Sequence, residues 1–159
     1  MSFVMPKPDE AILLISSSII NGLKKISKHV LSEEEEKAVY DTDGLSIHRK
    51  KPIADVLPET TKEVSMILKY CYDNNVKVVP RGAGTGLSGS ALPLEDSVLV
   101  VLGKFNKILE IDFENRCVVT QPGVTNLSIT GAVQHEGFYY APDPSSQMAC
   151  SIGGNISTN

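Results

Sequence analysis

Apolar residues recur at helical spacing near the start of the chain, where Ile12, Ile15, Ile19, Leu23 and Ile26 form one stripe. Asp9 precedes the stripe and Lys24 and Lys25 fall near its end, so a packing helix is predicted, capped by Asp9 and complemented in charge at its C-terminus. Ser32-Glu33-Glu34-Glu35 spells a capping box, which makes this acidic run the first turn of a short helix. Residues 40–51 lose all apolar period and read as a polar connector containing Asp41, Asp43 and Gly44, ending at Pro52. Beyond it, residues 53–57 read as a strand. Thr60 and Glu63 form a second capping box, and Val64, Ile67, Leu68 and Cys71 give a helical stripe before a strand over residues 76–79. The result is a β-α-β unit. The period then changes to that of a sheet, with successive strands over 97–102, 108–112 and 117–121, antiparallel pairing favoured and Glu114-Asn115 turning the last two. A helix from Asn126 to about Glu136 follows, with Thr125 as cap and Gly137 past its end. There is no internal repeat and no low-complexity tract.

The β-α-β unit delivers Pro80-Arg81-Gly82-Ala83-Gly84-Thr85-Gly86-Leu87-Ser88-Gly89 directly after its second strand. Glycines at this density let the backbone approach a ligand, and successive N–H groups form a concave nest for an anion, so a phosphate cradle is expected. Gly84 to Gly89 formally matches G-x-G-x-x-G, but a dinucleotide fold needs a helix opening inside that motif, and Pro93 followed by a strand denies it. Gly84 and Gly89 also stand at Walker A spacing, yet Ser90 occupies the lysine's place. On this loop alone, a ligand-free turn joining two strands stays open. Two further segments weigh against it. Pro142-Asp143-Pro144-Ser145-Ser146 is a rigid hydroxyl-rich loop, and Ser151-Ile152-Gly153-Gly154-Asn155 reads as another glycine turn, with Gln121-Pro122-Gly123-Val124 between a strand and a helix start. Several backbone approaches along one cleft suit a large dinucleotide better than a single phosphate.

Composition narrows the class. The chain has 159 residues, 42% of them hydrophobic, enough for one domain with a real core. The net charge of −4 and the scattered basic residues argue against nucleic acid, while an acidic small molecule still suits a pocket of locally favourable charge. Three cysteines, Cys71, Cys117 and Cys150, lie far apart with no C-x-x-C pair, which fits a reducing, cytosolic setting. The apolar run over residues 11–20 is not a secretory leader or a membrane span: Asp9 and Glu10 precede it and Ser16-Ser17-Ser18 breaks it. His29, His48 and His135 fall on different elements without carboxylates at ligand spacing, so no metal is expected. Cys150 lacks a basic neighbour and reads as a small buried filler.

Taken in order, P-R-G-A-G-T-G-L-S-G, Q-P-G-V, P-D-P-S-S and S-I-G-G-N resemble the FAD-binding domain of the vanillyl-alcohol-oxidase (PCMH) type flavoenzymes, nearest to the branch of the glycolate oxidase D subunits and D-lactate dehydrogenases. The resemblance covers about residues 40–159 and implies an α+β fold: a β-α-β subdomain plus part of a second mixed-sheet subdomain, preceded by a helical segment over residues 1–39. It implies non-covalent FAD, since no histidine stands in the glycine loop. Gly82 to Gly89 would hold the pyrophosphate through backbone N–H groups, with the hydroxyls of Thr85 and Ser88 adding donors. Arg81 either contacts the cofactor or braces the loop. Gly123 would lie near the adenosine end, and residues 142–146 and 151–155 would line the rest of the flavin; on its own, Asp143 between two prolines reads as turn chemistry.

Full-length members of the branch continue well past the third flavin loop, so the resemblance implies the N-terminal portion only, with no catalytic residue to name here. The implied function is the FAD-binding portion of a flavin-dependent 2-hydroxy-acid dehydrogenase or oxidase, with a small 2-hydroxy carboxylate as substrate and hydride passing to the flavin. The alternative is a truncated or split-gene fragment that binds FAD weakly or associates with a complementary polypeptide. Either way the expected location is cytoplasmic, with contact to the inner membrane only through an electron-accepting partner.

Overall fold

The structure, a computed structural model, describes residues 6–142 and 145–158. Two helices open it, α1 (Glu10–Leu14) and α2 (Ser16–Ile26). Asp9 caps as expected, its side chain accepting from the Ala11 N–H, but the predicted single helix breaks at Ile15. Three successive serines, all poor interior helix formers, follow the break. The break also turns Ile15 out to 44% exposure while Ile12, Ile19 and Leu23 stay buried. After β1 (Val30–Leu31) comes α3 (Glu34–Lys37). Its capping box sits one residue later than the sequence suggested: Glu33 and Glu36 are the reciprocal pair, not Ser32 and Glu35.

β2 (Ala54–Val56), α4 (Thr61–Asp73) and β3 (Lys77–Arg81) form the expected β-α-β unit, and the Thr60/Glu63 box caps α4. β4 (Ser97–Val101) then inserts between β2 and β3, giving the order β1-β2-β4-β3. β4 runs parallel to both neighbours, correcting the antiparallel expectation for this strand. Its five residues are all buried, the mark of a central strand covered on both faces. β3 runs two residues further than predicted and includes Pro80, which an edge strand tolerates because one side of it makes no ladder bonds.

The core lies on one face of this sheet. Ala54, Val56, Val98 and Val100 meet Ile19 and Leu23 of α2 and Ile67 and Cys71 of α4. By strand alternation the opposite face carries Asp55, Leu99 and Arg81, and Arg81 meets the connector there at the carbonyls of Tyr40 and Thr42. The N-terminus is fastened to the sheet through Asp96, which accepts from the Asp9 N–H (2.8 Å) and from Lys77 (2.5 Å).

A 3-10 turn (Leu102–Lys104) leads to the antiparallel hairpin β5 (Ile108–Asp112) and β6 (Cys117–Thr120), paired as predicted and closed by Asp112, which accepts from the Asn115 N–H. α5 (Asn126–Val133) is capped by Thr125 and runs on as a 3-10 turn to Gly137, whose φ of 79° ends it. The segment read as a third glycine turn is instead the start of α6 (Ile152–Thr158). Tertiary contacts override the low helix propensity of Gly153 and Gly154: Ile152 and Gly153 donate to Val124 O and Pro122 O, and a Cβ on Gly153 would lie 2.6 Å from Pro122 Cβ. Among the described residues, no helix is long and apolar enough to cross a membrane.

Ile67 is wholly buried between α4 and the sheet. Ile67→Ala is expected to lower stability by about 3 kcal/mol, read as a reduced urea midpoint at unchanged slope.

Candidate functional site

At the end of β3 the chain leaves the sheet and enters the glycine loop with a buried anchor. Arg81 is 7% exposed. Its Nη1 donates to Thr42 O (2.7 Å) and Ala91 O (3.1 Å), with a longer contact to Tyr40 O, and the guanidinium lies 5.6 Å from the Tyr40 ring centre. Gly84 turns over it with φ of 74°, and a Cβ there would overlap Nη2 of Arg81. The connector straps the far side of the loop: the Gly89 N–H donates to Asp43 Oδ2 (2.9 Å) and the Gly44 N–H to Gly86 O (3.0 Å). The N–H groups of Ala83, Gly84, Thr85, Gly86, Leu87 and Ser88 donate to no acceptor among the described residues. A row of free donors on a fixed backbone is the chemistry of an anion nest.

This loop is one wall of a cavity of about 440 Å³. Arg81, Gly82, Ala83, Gly84, Thr85 and Gly86 face Ser146, Ser151, Gly153, Gly154 and Asn155 across it, and Ser90, Ala91, Leu102, Pro122 and Cys150 are among the other lining residues. Ser151 is 5% exposed and its hydroxyl has no hydrogen-bond partner. Gly82 stands so close that a Cβ would overlap Ser151 Oγ. Asn155 is held by Asn126, which is itself buried and donates to Pro142 O.

Other residues singled out from the sequence fall elsewhere. Leu87, Ser88 and Gly89 lie outside the cavity lining, with Leu87 67% exposed. Gly123 packs behind the wall against Leu102 O and Phe105 O. Ile152 faces a separate apolar groove, Pro142 and Ser145 are exposed, and Asp143 and Pro144 lie outside the described residues. The sequence reading missed the strap of residues 41–44, because the partners of Asp43 and Gly44 lie more than forty positions away.

The sequence model of the FAD binding domain family matches residues 52–159. The chain belongs to that family. This FAD-binding domain is 52% identical over 130 residues to glycolate oxidase subunit GlcD of Escherichia coli (strain K12), a match covering 82% of the chain and 26% of the relative. It is 35% identical over 147 residues to D-lactate dehydrogenase of Anaerostipes hadrus, covering 91% of the chain and 31% of that protein. The chain thus spans between a quarter and a third of the length of these relatives. Among solved structures, alkyldihydroxyacetonephosphate synthase superposes with a TM-score of 0.77 at 20% identity, covering 99% of this chain and 30% of that one. p-Cresol methylhydroxylase with substrate bound gives 0.67 at 22% identity, covering 84% and 27%. These two likenesses establish the fold, the α+β PCMH-type architecture expected from the sequence motifs. The cofactor of the domain is FAD, and the free N–H row with the unpartnered Ser151 hydroxyl opposite it fits a pyrophosphate.

Behind the loop of this FAD-binding domain sits a second unsatisfied group. Asp55 is fully buried in β2 and neither carboxylate oxygen has a hydrogen-bond partner; the same holds for Arg81 Nε. Burial pushes the Asp55 carboxyl up to about 7, against the pull of Lys37 and Arg81 and with a further push from Asp41. An unfolded aspartate titrates near ~4. Between these values the native state keeps a proton that the unfolded chain releases, so the contribution of Asp55 to stability is fullest below the unfolded value and is lost as pH rises through the folded one. Asp55→Asn is therefore expected to gain on the wild type from pH 4 to 7 by on the order of 2–4 kcal/mol, and to hold a constant difference above pH 8, in paired urea unfolding curves.

Proposed function

We propose that this chain holds the FAD pyrophosphate on the N–H row from Ala83 to Gly86, with the Thr85 hydroxyl beside it, and that Ser146, Ser151 and residues 153–155 form the facing wall. The observation that carries this reading is the unpartnered donor row on a cavity of about 440 Å³, whose facing wall meets the loop where the unpartnered Ser151 hydroxyl packs against Gly82. Arg81 braces: its bonds run to protein carbonyls, and it keeps positive charge beneath the nest. Leu102 and Pro122 supply apolar surface that excludes water from one side of the ligand.

The activity this domain serves is that of a flavin-dependent 2-hydroxy-acid oxidoreductase of the glycolate or D-lactate kind, and its likeness to glycolate oxidase subunit GlcD and D-lactate dehydrogenase supports that branch. Bound FAD supplies a hydride acceptor for the carbon bearing the substrate hydroxyl. The residues described here position and shield; groups that bind the carboxylate and take the hydroxyl proton belong to the remaining length of such proteins. The apolar groove lined by Val119 of β6, Tyr139 beyond the turn after α5, and Ile156 of α6, all well exposed, favours association with a complementary polypeptide. Three unpaired cysteines suit a reducing cytoplasm, with any membrane contact made through an electron-accepting partner.

Attachment is non-covalent in this reading. No histidine lines the cavity, and Cys150 is 2% exposed with its Sγ facing the Asn155 amide. Acid precipitation of the FAD-loaded protein is expected to leave all flavin in the supernatant; yellow colour in the pellet would refute this. Titration with FAD, followed by flavin fluorescence and competed with ADP, should saturate. Ser151→Ala should weaken FAD by roughly fivefold, the worth of about one hydrogen bond, with no loss of melting temperature because the hydroxyl bonds nothing in the free protein. Absence of saturable binding by the wild type would overturn the proposal.

A further inference from the structure

The sheet carries a charge behind the phosphate loop that the loop's own binding chemistry does not use. Asp55 pairs in register with Leu99, Leu99 with Val79, and Arg81 lies two residues beyond Val79, so Asp55 and Arg81 project from the same face of the sheet. Both Asp55 oxygens lack donors and Arg81 Nε lacks an acceptor, all of them buried. Three charged groups act on Asp55: Lys37 from α3, Arg81 from the end of β3 and Asp41 from the connector. Lys37 is already bonded to Pro52 O and paired with Glu34, and Asp41 is paired with Arg49. Arg81 also feels Tyr40, Asp43 and Asp41. Of the groups acting on Asp55, only Arg81 also lines the cavity, with its guanidinium packed under Gly84.

We propose that Asp55 balances charge for the phosphate loop: sharing a sheet face with Arg81 and lacking hydrogen-bond partners of its own, it binds protons more tightly when the FAD pyrophosphate occupies the loop. The inference rests on the FAD reading above. A pyrophosphate brings two negative charges to the side of Arg81 that faces the cavity. An ionised Asp55 on the same sheet face attracts the same guanidinium and repels the ligand through a dry interior, where charges interact more strongly than in water. Neutralising Asp55 removes both costs, so binding and proton uptake are linked. The empty-state carboxyl titrates at about 7. Affinity is therefore full below that pH and falls as pH rises through it, levelling once the loaded protein also gives up the proton.

The test is calorimetric titration with FAD, whose pyrophosphate is a diester and stays fully ionised over the range used. At pH 8, wild type is expected to give binding enthalpies that differ between HEPES and Tris buffers by the amount uptake of a fraction of a proton requires, and Kd should weaken roughly tenfold from pH 6.5 to pH 9. Asp55→Asn should bind with a flat pH profile and a buffer-independent enthalpy, whereas a merely structural role would shift Kd equally at every pH. A buffer-independent enthalpy in the wild type overturns the proposal, and that comparison decides alone if the variant does not fold. Retention of the pH profile by a folded Asp55→Asn overturns it too. Saturable binding without proton uptake sinks only the linkage; no FAD binding at any pH sinks the FAD reading and the linkage with it.

Discussion

A single buried guanidinium fixes the geometry of the cleft. Arg81 ends the edge strand, gathers carbonyls from the connector and from the far end of the glycine loop, and lies under Gly84. Three chain segments distant in sequence converge on one rigid, planar group with five donors. A lysine would reach one or two of those carbonyls from a flexible stem. The rest of the loop inherits its order from this anchor and from the Asp43 strap, which is why a segment so rich in glycine can present its N–H groups along one line without the entropy cost of arranging them at binding.

The sequence disclosed what local chemistry decides. Asp9, Thr60 and Thr125 each cap the helix their spacing announced, and the hairpin closes where Glu114 and Asn115 suggested. Long-range decisions were illegible. An unbroken apolar run such as Ser97–Val101 announces burial but not its neighbours, so its insertion between β2 and β3 could not be read from it. Gly153 and Gly154 carried a turn signal that contacts with Pro122 and Val124 overrode. In the cleft, the density of glycine pointed to the loop, yet which part faces the cavity depends on Arg81 and Asp43. Leu87 and Ser88 turn away for that reason. Asp55 drew no reading of its own within the strand expected over residues 53–57; only the pairing register shows that it shares a face with Arg81.

The polar residues of the cleft divide by what they lack. Asn155 donates to Asn126, whose own amide donates to Pro142 O, and this run of bonds fixes the approach of α6, whereas the Ser151 hydroxyl, packed against Gly82, and the loop N–H groups are left without partners among the described residues. Groups that complete their bonds within the protein set position, and groups left incomplete are available to a ligand.

The two walls of the cleft belong to different packing units. The main hydrophobic cluster draws on the helices and the four-stranded sheet and includes no residue beyond Leu102. Ser151 and α6 lean instead on the hairpin and α5, and a two-stranded hairpin holds together poorly without a third layer. Gly82 and Ser151 touch where these units meet. A molecule seated there acts as mortar between two courses of the fold, and its binding energy adds to their cohesion by mass action. The supply of cofactor in the cell then governs how long the chain survives proteolysis as well as how well it is equipped for chemistry.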